Sequence, residues 1–129
     1  MAAEAEGLMD LKKRTKQFAL RVIRMYSALP KSTEAQMIGK QVLRSGASVG
    51  AHYREAIRGR STAEFISKIE GGLQELEETA YWMELLVEAE IVSAHRLQDL
   101  QSEANELSAI LITCAKNAKQ KTNAKKAEG

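Results

Sequence analysis

One cysteine, one proline and six aromatic side chains are all that 129 residues hold of three structurally expressive kinds. Cys114 has no partner for an intramolecular disulfide, and a thiolate metal site needs more sulfur than one residue supplies. A reducing, cytoplasmic setting fits that economy. With so little proline and aromatic content, a sheet-rich sandwich is excluded, because such folds need turn punctuation and aromatic or β-branched strands. The longest purely aliphatic run, residues 109–112, is far below the ~20 residues that span a bilayer, so no membrane partner is expected. Residues 1–10 carry Glu4, Glu6 and Asp10 with no cationic or apolar stretch, which is not the pattern of a secretory signal.

What is present reads as helix. The length of 129 residues and the 44% apolar content suit one domain with a modest core, which oligomerisation would supplement. The expected organisation is a flexible segment over 1–9, a helical domain over 10–119 and a basic flexible tail over 120–129.

Charge is segregated along the chain although the net value is only +2. Residues 11–60 contain twelve Lys or Arg against Glu34 and Glu55, whereas residues 61–110 contain eleven acids against Lys68 and Arg96. Two arrangements satisfy such a pattern: the basic half meets an anionic polymer, or it meets the acidic half within the molecule or on a neighbouring copy.

Four helices follow from apolar period and punctuation. Leu11, Thr15, Phe18, Val22, Met25 and Leu29 form one seam that stops at Pro30. Thr33 with Gln36 reads as a capping box for a second helix through Ile57, whose seam is Ile38, Val42, Val49, Tyr53 and Ala56. Ser61 with Glu64 opens a third helix along Phe65, Ile69, Leu73, Leu76, Ala80, Met83 and Val87 to about Ala89. Ser93 caps a fourth, with Leu97, Leu100, Ala104, Leu107, Leu111, Cys114 and Ala118 in its seam. Short turns between four such helices give an all-α, antiparallel up-down-up-down four-helix bundle.

Gly39, Gly46 and Gly50 lie on one flank of the second seam, where each costs about 1 kcal/mol of helix propensity relative to alanine. That pattern predicts a groove into which another helix packs closely. The third helix is apolar on more than one side. Tyr81, Trp82, Leu85 and Leu86 are therefore expected at a subunit interface.

No catalytic set emerges, and the chain reads as non-enzymatic. Neither His52 nor His95 has the Glu three residues before it that a di-iron bundle uses, and no strained nucleophile turn is present. Neither a metal site nor a cofactor is expected. The basic residues are better organised: Lys40, Arg44, Arg54 and Arg58 align along the second helix, Arg14, Arg21 and Arg24 with Lys13 occupy the polar side of the first, and Arg60 follows in the turn. Such arginines suit phosphate, since guanidinium binds it bidentately and stays charged.

The stretches LRSGASVGAHYREAIRGRSTAEFISKI, ELEETAYWMELLVEAEIV and EANELSAIL resemble the bacterial four-helix bundle proteins, also called ribosomal RNA intervening-sequence or S23-like proteins. The similarity extends over residues 11–119 and reaches the accessory variability proteins of diversity-generating retroelements. It implies a ring-shaped homo-oligomer, a homopentamer, that binds RNA or an RNA/DNA hybrid and associates with a reverse transcriptase. By position, Arg44, Arg54, Arg58 and Arg60 match the basic pattern of that family. The expected function is thus a nucleic-acid-binding accessory protein. The alternative is a protein-interaction scaffold whose basic and acidic halves pair between subunits.

Overall fold

A computed structural model describes residues 2–128 and the side chains of residues 10–127. The described residues are all-helical, with α1 at Ala2–Ser27, α2 at Thr33–Ile57, α3 at Thr62–Glu88 and α4 at Ala94–Glu128. The segments expected to be flexible are helical over 2–9 and 120–128, while residues 1 and 129 lie outside the described residues. Lysine, glutamine and alanine are good helix formers, so nothing in 120–128 halts α4 once its seam has ended.

Each turn has a local cause. The α2 cap is Ser32 rather than Thr33: Ser32 is extended, and its Oγ accepts from the Ala35 amide at 3.4 Å. Gln36 turns outward instead, donating to the Pro30 carbonyl and accepting from the Tyr26 hydroxyl, both at 2.8 Å. Ser61 accepts from the Glu64 amide at 3.1 Å, the first half of a capping box, while the Glu64 carboxylate reaches one residue beyond the cap and accepts from the Arg60 amide. Ser93 likewise accepts from the Arg96 amide. Between α3 and α4 the chain reverses through Glu90 at φ 60°, a left-handed conformation that glycine adopts more easily. The amides of Ile91 and Val92 then reach back to the Leu86 carbonyl at 3.0 and 3.1 Å.

The helices pack in chain order, α1 on α2, α2 on α3 and α3 on α4, and α4 touches α1 only lightly. The glycine groove on α2 receives α1. A Cβ placed at Gly46 would lie 2.8 Å from Val22 Cγ2, and one at Gly50 would lie 3.2 Å from Thr15 Oγ1. The core gathers Phe18, Val22, Val42, Val49, Tyr53, Leu76, Met83, Leu107 and Leu111, each at most 1% exposed. Ser45 and Thr79, both fully buried, join α2 to α3 through a hydroxyl contact of 2.8 Å.

Two seam assignments shift. On α3 the buried line is Ile69, Gly72, Leu76, Thr79, Met83 and Leu86, while Leu73, Ala80 and Val87 are half-buried beside it. On α4 the seam runs buried through Leu97, Leu100, Ala104, Leu107 and Leu111 and continues to Ala115 rather than Cys114, which is half-buried. Burial pushes the Cys114 thiol up and the Tyr53 phenol up to about 12. A thiol shifted in that direction has little nucleophilic thiolate.

Candidate functional site

The basic residues divide into those engaged inside the chain and those that are not. Arg14 on α1 donates from Nε and Nη2 to both oxygens of Glu103 on α4, at 3.0 and 2.7 Å, and lies 3.4 Å from Glu106. Its donors hold the Glu103 carboxyl below the usual range, against the opposing effect of burial, and the Arg14 guanidinium is correspondingly raised. Arg44 on α2 is held by Glu75 and Glu78 on α3. Lys68 and Glu55 pair at 2.8 Å, as do Lys119 and Glu70 at 2.7 Å. The basic and acidic halves thus meet within one molecule, at particular positions.

Among the described residues, Arg21, Arg24, Lys40, Arg54, Arg58 and Arg60 make no ion pair. Arg24, Lys40, Arg58 and Arg60 are exposed, and Arg21 and Arg54 are half-buried. Arg58 folds its Nε back to the Arg54 carbonyl, and Arg54, Arg58 and Arg60 stand close together in the chain around the C-terminal end of α2.

Two clefts flank the lightly packed α1 and α4 seam, one on either side of the Arg14 and Glu103 pair. The first, of about 480 Å³, lies between the end of α1 and the start of α4 and is lined by Arg21, Arg24, Arg96, Asp99 and apolar residues that include Met25, Ile91 and Val92. The second, of about 840 Å³, is lined by Asp10, Leu11, Arg60, Phe65, Cys114 and Lys121 among others. Arg96 and Lys121 were not legible as partners of these sites. Arg96 stands in the acidic half of the sequence, and the sole local signal is its place three residues after the Ser93 cap.

The residues expected at a subunit interface separate. Tyr81 is 53% exposed and meets Trp82 edge to face, with ring centroids 5.1 Å apart. Trp82 and Leu85 are half-buried against the core. Leu86 is a correction: it is fully buried in the core of its own chain, because α3 packs on both α2 and α4 and so is covered on two sides without a second subunit. Ile112, 55% exposed, adds a further outward apolar side chain on α4.

His95 is exposed, while His52 Nδ1 is enclosed beside Gly71 with no hydrogen-bond partner among the described residues. Among the described residues no three His, Cys, Asp or Glu side chains are grouped to hold a metal ion, and no helix is long and apolar enough to cross a membrane.

Residues 9–113 match the family described as 23S rRNA-intervening sequence protein. Four solved chains match, among them the crystal structure of a protein of unknown function from the S23 ribosomal protein family of Bacteroides thetaiotaomicron. That protein is 34% identical, with 84% of this chain and 97% of that chain covered and a TM-score of 0.79. No curated protein matches.

Proposed function

The chain belongs to the 23S rRNA-intervening sequence protein family, and we propose that it is a non-enzymatic, cytoplasmic accessory protein that binds RNA or an RNA/DNA hybrid. Its contacts are to phosphates and carry little sequence readout. Its architecture on this reading is an antiparallel up-down-up-down bundle assembled into a homopentameric ring, with a reverse transcriptase as its protein partner.

The observation that carries the reading is the set of cations left over once the halves of the chain have paired. Arg14 and Arg44 are occupied by carboxylates, whereas Arg21, Arg24, Lys40, Arg54, Arg58 and Arg60 make no ion pair among the described residues. Guanidinium groups without a carboxylate partner are available to displace counterions from a phosphate backbone. Tyr81, with Trp82 and Leu85 beside it, supplies an outward apolar patch for assembly.

The test is fluorescence anisotropy of a labelled structured RNA, against a DNA duplex, with the full chain between about 50 and 200 mM salt. The reading expects binding with a steep salt dependence. Absence of binding at the lowest salt overturns it.

The scaffold reading draws on the carboxylates of α3. Glu77, Glu84 and Glu88 are exposed and make no ion pair among the described residues, so they are free to meet a neighbour's arginines. On that reading, alanine at Arg54 and Arg58 dissociates the assembly. On the leading reading those variants keep their mass and lose RNA.

A further inference from the structure

We propose that the cleft between the end of α1 and the start of α4 binds a terminal phosphate borne on a nucleotide. This deepens the nucleic-acid reading, on which it rests for the kind of molecule presented. Arg21 and Arg24 come from the basic half of the sequence, Arg96 comes from the acidic half, and all three line the same cleft. None of the three makes an ion pair among the described residues.

The charge balance favours an end group over an internal one. Three guanidinium groups and the single carboxylate of Asp99 leave the lining at +2, and a phosphate monoester carries about −1.5 to −2 at neutral pH. An internal phosphodiester carries only one negative charge. Planar guanidinium forks also present paired donors that fit the oxygens of a terminal phosphate.

The rest of the lining suits a nucleoside rather than a bare anion. Ile91 and Val92, placed by the left-handed turn at Glu90, provide apolar surface, and the cleft volume of about 480 Å³ is in the range that small ligands occupy. Asp99 would oppose an anion, yet its carboxylate is an acceptor for a ribose hydroxyl. One ligand class therefore uses every charged group present: a nucleotide with a terminal phosphate, free or at the end of a strand.

The experiment compares labelled RNA oligonucleotides of one sequence, carrying a 5′-phosphate, a 3′-phosphate or neither, with adenosine 5′-monophosphate as competitor, on the full chain at constant salt. The expected result is at least about tenfold tighter binding of one phosphorylated end, equivalent to about 1.4 kcal/mol, which Arg24→Ala with Arg96→Ala abolishes. Competition by the mononucleotide at concentrations matching the oligonucleotide affinity assigns the site to free nucleotides, and competition only at far higher concentrations assigns it to strand ends. Equal affinity for all three oligonucleotides, with no competition, overturns the inference. If unphosphorylated RNA still binds in a salt-dependent manner, the broader nucleic-acid reading survives that failure. Mononucleotide binding without binding of unphosphorylated RNA has the reverse meaning.

Discussion

Arg14 grips both carboxylate oxygens of Glu103 across the seam between α1 and α4, at 3.0 and 2.7 Å. This is the least densely packed of the helix contacts, so a charge-assisted, two-point bond has more to hold there than elsewhere. The Glu103 side chain is 15% exposed, which limits screening by solvent.

The pair makes stability depend on pH in a definite sense. Arg14 holds Glu103 below the ordinary value of 4.5, so in the window beneath that value the unfolded chain binds the extra proton. Stability from this pair is complete above 4.5 and is lost as pH falls through the folded value. Glu103→Gln should cost about 1–2 kcal/mol at pH 7, and urea unfolding should show the gap closing in acid. An equal gap at both pH values would contradict this account.

Gly46 faces Val22, which is fully buried and has no room to move. Alanine there gains about 1 kcal/mol of helix propensity but meets Val22 Cγ2, and overpacking costs about 1–3 kcal/mol. The clash should win. Gly46→Ala should lower the melting temperature, and Val22→Ala in the same chain should make that substitution far less costly, as a double-mutant cycle would register.

The glycine groove was legible in sequence because spacing alone puts Gly39, Gly46 and Gly50 on one flank. The four helices were legible for the same reason, since Pro30, Ser61 and Ser93 punctuate continuous three-four apolar spacing. The placement of Leu86 was not. Sequence shows that α3 is apolar around much of its circumference, but whether the second cover is α4 or another subunit depends on tertiary packing. Arg96 escaped for a related reason: it joins Arg21 and Arg24 only because the turn at Glu90 returns α4 to the end of α1.

Glu90 at φ 60° is held in a conformation that costs a side-chain-bearing residue about 1–2 kcal/mol. Glu90→Gly should therefore raise the melting temperature slightly, by the part of that cost not offset by the greater entropy of glycine in the unfolded chain. A β-branched Glu90→Val should lower it. Calorimetry of the two variants gives the comparison, and a gain for valine would contradict the turn geometry.

Leu85 and Leu86 are neighbours with different duties. Leu86→Asp buries a charge in the core and should unfold the chain, with loss of helical circular dichroism. Leu85→Asp, at a half-buried position beside exposed Tyr81, should leave the helices intact and, on the proposed assembly, reduce the mass measured by light scattering to that of a single subunit. An unchanged assembly would remove the Tyr81 patch from the subunit interface.

The salt dependence of RNA binding in two variants tests the division of cations most directly. Arg54 and Arg58 have no carboxylate partner among the described residues, whereas Arg44 is held by Glu75 and Glu78. Arg54→Ala with Arg58→Ala should flatten the slope of log affinity against log salt by about 1.4–1.8, at 0.7–0.9 per lost phosphate contact. Arg44→Ala should leave the slope unchanged. Equal slopes for wild type and the double variant, or no RNA binding at about 50 mM salt, would contradict the account and return the α2 arginines to the assembly.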